Sequence, residues 1–362
     1  MNTIIIVNTY SQLIIAIQMR NTLFYCDSVS VIMTDFAKDS FRYSMNLEKE
    51  RVFDAIYYLE KKKYCAEPIS AFEKIASVGH IVFGNKVFKR IKEKKWDRLC
   101  FYNTDTATYS LYVSLVKRNP KLECFKFEEG ILSYSCPFSN NMRYRIAEKY
   151  LSLHGIKSLE NATKTFLCFY PNQYTGKLVA KRIPKIDVGN PDILTVIKRV
   201  FEIDVEKNNR IYDKKFIYFS GVYDFEGGSP IGELSLVERI SDMVGKENLI
   251  VKVHPRDDVN RFLKRGLTVA ESSNVPWEAI QMTSKLDGAT FLTVSSGSVL
   301  FINLLINHPI KSIFLFPQCD LSKNKTALRN ANDISNILEN GVEGHELPWI
   351  HIIKDDLNSI LE

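Results

Sequence analysis

Short β-branched and apolar runs alternate along this chain with longer segments in which apolar residues return every three to four positions. The first run, residues 3–7, is followed by residues 10–23, where Leu13, Ile14, Ile17 and Leu23 fall at helical spacing. Further strands are expected at 29–33, 55–59, 98–102 and 122–127, with helix-length segments between several of them. Strands alternating with helices predict a parallel sheet covered by helices. The two prolines and the glycine of residues 183–191 then interrupt any regular element. After them a second series begins, with strands expected at 215–219, 249–253, 267–270, 290–294 and 312–316, and helical patterns at 234–244, 277–286 and 299–306. The expected fold is therefore α/β, with one Rossmann-like domain over 1–186 and a second over 187–362.

Composition agrees with this division. A chain of 362 residues exceeds one ordinary core and fits two domains. Hydrophobic residues at 45% and charged residues at 25% are those of a soluble globular protein. No apolar stretch approaches the roughly 18 residues needed to span a bilayer. No basic segment precedes the first apolar run, so a signal peptide is not expected and the protein is placed in the cytoplasm. The seven cysteines show no CxxC spacing and read as reduced thiols. The net charge of +6 is gathered in Lys61-Lys62-Lys63, in Lys92 with Lys94-Lys95, and in Lys181-Arg182. Such clusters are either solvated helix faces or points of attraction to an anionic membrane surface or an anionic glycan. They lack interleaved aromatics, so nucleic acid is not expected as a partner. The first strand runs into Asn8-Thr9-Tyr10-Ser11 without GxGxxG, and GxxxxGK[ST] is absent, which argues against dehydrogenases and kinases.

Three motifs follow expected strands, so their polar residues fall at strand carboxyl ends, where open α/β sheets bind ligands. The first is Phe127-Glu128-Glu129-Gly130. A hydroxyl that acts as a nucleophile needs a base, and Glu129 beside Gly130 suits that role. Glu128 adds a like charge that raises one of the two pKa values. Two exposed acids on a solvated turn is the plainer alternative. The second motif is Val253-His254-Pro255. An imidazolium there would stabilise charge on a departing phosphate, and Pro255 biases His254 toward an extended conformation. His308-Pro309 ends a helical pattern and reads as helix termination. The third motif is Ser295-Ser296-Gly297-Ser298 ahead of a helix, where hydroxyls and backbone N–H groups suit phosphate. A plain N-cap is its alternative, and the missing first glycine argues against a nucleophile elbow. Gly221, in the stretch Ser220-Gly221-Val222-Tyr223-Asp224, allows close backbone approach to a ligand. Glu278 in Pro276-Trp277-Glu278 suits a first helical turn. No paired aspartates of a metal-dependent transferase are present, and no metal is expected.

In kind and order, the motifs of Glu128-Glu129-Gly130, His254-Pro255 and Ser295-Ser296 resemble those of bacterial sialyltransferases, in particular the polysialyltransferase-like and lipooligosaccharide-sialyltransferase-like families. The resemblance covers most of the chain. It implies a GT-B architecture, two Rossmann-like domains facing a central cleft, with the acceptor side in the N-terminal domain and the nucleotide donor in the C-terminal one. It implies inverting, metal-independent transfer of sialic acid or a related acidic sugar from a CMP donor to a surface glycan such as capsule or lipooligosaccharide, with no cofactor besides the donor. Glu129 would be the base, His254 with Ser295, Ser296 and Ser298 would hold the phosphate, and Glu278 would approach the ribose. In the lipooligosaccharide enzymes the base lies on a later segment, which makes Asp224 the second candidate. The expected partners are a nucleotide-sugar donor, a glycan acceptor and the inner membrane surface. Fold alone does not decide function. The alternatives are the same scaffold with a different nucleotide sugar, or a non-catalytic nucleotide- or glycan-binding module.

Overall fold

A computed structural model describes residues 1–64, 70–83, 88–134, 138, 141–223, 231–271, 275–341, 347–354 and 356–361. The chain forms two compact units. Unit 1 is Met1–Pro184 with Arg199–Phe201, and unit 2 is Lys185–Lys198 with Glu202–Glu362.

Unit 1 holds strands β1 (Asn2–Val7), β2 (Ser28–Thr34), β3 (Ala55–Leu59), β4 (Arg98–Phe101), β5 (Glu123–Phe127), β6 (Thr163–Cys168) and β7 (Val179–Arg182). They lie in the order β3-β2-β1-β4-β5-β6-β7. Every pairing is parallel, with Ile5 of β1 opposite Val31 on one side and Cys100 on the other. Strand β1 is central, and Ile4, Ile5, Ile6 and Val7 are at most 1% exposed, which is why its sequence reads as an unbroken apolar run. The following helix, Tyr10–Asn21, is buried continuously from Gln12 to Met19. The order reverses at β1, placing the topological switch point between the carboxyl ends of β1 and β4.

Unit 2 holds β8 (Phe216–Phe219), β9 (Leu249–Lys252), β10 (Thr290–Thr293), β11 (Ser312–Phe314) and β12 (Ile350–Ile352), in the order β12-β11-β10-β8-β9, again all parallel. Its switch point lies between the carboxyl ends of β8 and β10. The strand expected at 267–270 is not formed. Thr268 O and Ala270 N both bond to Val251, so the segment meets the edge strand β9 at a single bridge, Val251 to Val269. The helix expected over 277–286 ends at Thr283, where Ser284 turns to an extended conformation. Strands β6, β7 and β12 lie outside the expected set. Two Rossmann-like units of this kind in one chain are the plan of the GT-B class. Among the described residues no helix is long and apolar enough to cross a membrane.

Candidate functional site

At the switch point of unit 1 the chain ends β1 in Asn8-Thr9 and β4 in Tyr102-Asn103-Thr104-Asp105. Thr9 caps the helix Tyr10–Asn21, its hydroxyl accepting from Gln12 N at 3.3 Å. A hydroxyl has one proton, and Thr9 gives it to Glu129 Oε1. Asn103 Oδ1 accepts from Asn8 Nδ2 at 2.6 Å and Gln12 Nε2 at 2.9 Å, while Thr34 Oγ1 donates to Asn8 Oδ1 at 2.8 Å. Lys61 pairs with Asp105 at 2.7 Å, each side chain 13% exposed. Lys61 is therefore part of this polar floor, which corrects its reading as one of three solvated or membrane-facing lysines. The only sequence cue to the floor was the run of amides and hydroxyls that ends β1 and β4.

The two acids after β5 part company. Glu129 is half-buried, with its backbone N–H donating to Ser133 Oγ at 2.8 Å and its carboxylate taking the Thr9 proton. Glu128 turns inward and is 2% exposed, its Oε2 accepting from Tyr134 OH at 2.5 Å and Phe169 N at 2.7 Å. Burial pushes the Glu128 carboxyl up to about 7, and the Tyr134 and Phe169 hydrogen bonds pull it back. This corrects the expected electrostatics of the pair. The disfavoured ionisation is that of Glu128, and its cause is loss of solvent rather than a like charge alongside.

In unit 2, His254 follows β9 by two residues and is half-buried, with Pro255 exposed beyond it. His254 Nδ1 accepts from Arg256 N at 3.2 Å, which leaves the neutral ring's proton on Nε2. The ring is thus set up as an Nε2–H donor. The expected imidazolium would put an Nδ1–H against the Arg256 N–H. The His254 backbone N donates to Ser220 Oγ at 2.9 Å, and Ser220 Oγ donates to Asp257 at 3.0 Å. Asp257 pairs at 2.7 Å with Arg261, which also pairs with Glu233, and both carboxylate side chains are fully buried. Glu233 Oε1 accepts from Gly221 N at 2.9 Å. A buried ion-paired frame, unforeseen from sequence, thus holds the ends of β8 and β9 together. Gly221 is needed there because a Cβ would stand 2.2 Å from the Tyr223 ring.

The serine turn also divides. Ser295 is fully buried, its N and Oγ both donating to Tyr223 OH, at 3.1 and 3.3 Å, so it builds the turn from inside rather than facing an anion. Ser296 stands at the N-cap of the helix Gly297–Leu305 but makes no side-chain cap bond, so the plain capping alternative does not describe it. Its hydroxyl lies 3.2 Å from that of Ser298. Glu278 opens the helix Trp277–Thr283 and is 8% exposed. Burial pushes the neighbouring Lys252 ammonium down, and the Glu278 carboxylate opposes this. Asp224 lies outside the described residues. Among the described residues no group of three or more His, Cys, Asp or Glu side chains gathers as metal ligands would.

The sequence matches no protein-family model, and no curated protein matches it. Solved structures of similar plan include UDP-GlcNAc 2-epimerase from Neisseria meningitidis bound to UDP-GlcNAc, 12% identical over 93% of this chain and 90% of that one, TM-score 0.48. MurG from Acinetobacter baumannii is 11% identical over 97% and 85%, TM-score 0.43. The calicheamicin glycosyltransferase is 9% identical over 97% and 85%, TM-score 0.48. Likeness at this level carries nothing about substrate.

Proposed function

We propose that the protein is a glycosyltransferase that takes its sugar from a nucleotide donor. The observation that carries this reading is the N-terminus of the helix Gly297–Leu305, where the Ser296 and Ser298 hydroxyls lie 3.2 Å apart and the Ser296 side chain makes no cap bond. The first-turn N–H groups, the Ser296 and Ser298 hydroxyls and an Nε2–H donor at His254 are the chemistry that a phosphate leaving group requires. Glu129, held by Thr9 and Ser133, is the acceptor's base.

The donor we propose is a CMP-linked acidic sugar such as sialic acid, on the motif resemblance and on the match of one hydroxyl nest to one phosphate. The reaction is a single displacement with inversion. The acceptor oxygen forms its bond to the anomeric carbon as its proton passes to Glu129, and the anomeric C–O bond breaks with its electron pair leaving on CMP. The acceptor is a surface glycan, and the enzyme works at the cytoplasmic face of the membrane.

A melting experiment with CMP, UMP, UDP and GDP tests the donor. A ligand that binds only the folded state raises its stability, by about 2.7 kcal/mol at a hundred times its Kd. CMP is expected to stabilise most, and activity to survive EDTA. Preferential stabilisation by UDP would assign a diphosphate sugar, the class bound by the Neisseria protein. Binding without any donor hydrolysis would leave a nucleotide-binding module.

A further inference from the structure

Unit 1 has a cavity of about 680 Å³ lined from the face of β5, β6 and β7. Register sets Lys126 of β5 beside Phe166 of β6. Lys126 is 4% exposed, with its ammonium 5.0 Å from the ring centre of Phe138. Phe166 meets Tyr134 edge-on at 5.8 Å and tilts against Tyr174 at 4.6 Å, so aromatic surface continues along the wall. Lys164 and Lys177 stand exposed at the rim. The cavity also shares its wall with the acidic turn. Ser133 and Tyr134 line it, and these accept from Glu129 N and donate to Glu128 respectively.

A concave site of this size, lined by aromatic rings with a few placed polar groups, suits a small ligand. Rings offer apolar faces to the C–H side of a sugar, and lysines offer charge-assisted hydrogen bonds to a carboxylate. Three lysines line this cavity against one acid, Glu160. We propose that the cavity binds a saccharide unit bearing a carboxylate. Its service as the acceptor subsite rests on the transfer reading, whereas the binding itself does not.

The test is equilibrium binding to the full chain without donor, using sialyllactose and neutral lactose as probes. Sialyllactose is expected to bind roughly tenfold more tightly than lactose, the worth of one or more charge-assisted hydrogen bonds. Lys164→Ala/Lys177→Ala, which alters only exposed side chains, should weaken sialyllactose roughly fivefold or more while leaving lactose unchanged. Tyr174→Ala should weaken both sugars. None of these variants should alter the melting shift given by CMP. Equal binding of the two sugars, no binding of either, or an unaffected double variant overturns the proposal. Selective sialyllactose binding in a protein that never hydrolyses a donor would leave the cavity standing and remove the transfer reading. Turnover on a neutral acceptor without sialyllactose binding would do the reverse.

Discussion

Glu128 in unit 1 and Glu233 in unit 2 are both buried near the carboxyl ends of their sheets, and the two are satisfied by different chemistry. Glu128 in unit 1 has two neutral donors, Tyr134 OH and Phe169 N. Glu233 in unit 2 has Tyr218 OH at 3.1 Å, Gly221 N at 2.9 Å and the guanidinium of Arg261. Burial pushes both carboxyls up to about 7, and at Glu233 the Arg261 charge is the largest effect opposing it. The consequence is a difference in what each can lose. Glu128 can become neutral with no ion pair lost, whereas neutralising Glu233 takes away one of the two carboxylate partners of Arg261 and leaves it Asp257. Unit 1 thus holds its candidate base on a neutral hydrogen-bonded turn, and unit 2 holds its His-Pro loop on buried ion pairs.

The largest effects should separate the two ends by kinetic parameter. Glu129→Gln is expected to lower turnover by roughly 10²–10⁴, the usual worth of a general base, with the CMP melting shift unchanged. His254→Ala should reduce both turnover and the CMP shift, because a group on the phosphate acts before and during bond cleavage. His308→Ala, exposed and 3.5 Å from Asp287, should change neither. Full activity in Glu129→Gln together with its loss in Asp224→Asn would move the base to the later segment.

Glu233→Gln comes next, and here stability is the readout. Arg261 keeps Asp257 as a counter-charge, so the substitution removes one of its two carboxylate partners and should cost about 1.5–3 kcal/mol, the worth of a charge-assisted hydrogen bond. Urea unfolding should show a loss of that order and a reduced CMP shift, because Gly221 and, through Asp257 and Ser220, the His254 backbone hang on the same frame. A wild-type midpoint would mean that Arg261 is satisfied by Asp257 alone and that the contrast between the units is not one of charge.

How far these sites could be read from sequence follows from the same hydrogen bonds. The central strands were legible because parallel strands buried on both faces are continuous apolar runs, and a run that ends in polar residues marks a strand's carboxyl edge. Strand β7 was not legible, since Val-Ala-Lys-Arg is largely exposed at the sheet edge and is defined only by its pairing with β6. The fate of Glu128 depended on β6, which was not expected either. Its burial needs Phe169, the residue after β6, and without that strand the two acids looked alike. Ser295 was misread as ligand-facing for a similar reason, because Tyr223 lies 72 residues away in sequence. The strand-end positions of Glu129, His254 and Ser296 needed no long-range partner to be inferred.

Glu128→Gln should act in the opposite direction to Glu233→Gln, and its effect depends on pH. The folded carboxyl sits at about 7 against an ordinary 4.5, so between those values the folded state keeps a proton that the unfolded chain has released. This contribution to stability is fully present below pH 4.5 and is lost as pH rises to about 7. Glutamine has no such proton, and its carbonyl can still accept from Tyr134 and Phe169. Measured by urea unfolding, the variant should therefore gain on the wild type between about pH 5 and 8, by at most about 3 kcal/mol. A difference that stays flat across this window would show that Glu128 titrates normally and would dissolve the comparison with Glu233.

The smallest effect tests how the base itself is held. Thr9 spends its one proton on Glu129 while accepting from Gln12 N, so it links the start of the helix Tyr10–Asn21 to the acidic turn. Thr9→Val removes both bonds and should cost about 1 kcal/mol of stability through the lost cap. Loss of a hydrogen bond to a carboxylate also disfavours its charged form. The acid limb of the pH–rate profile should therefore move upward in Thr9→Val. Thr9→Ser retains the hydroxyl and should restore both the stability and the profile. A merely structural role for Thr9 predicts the stability loss with the acid limb unmoved, and that outcome would detach Thr9 from the chemistry while leaving the rest of the polar floor in place.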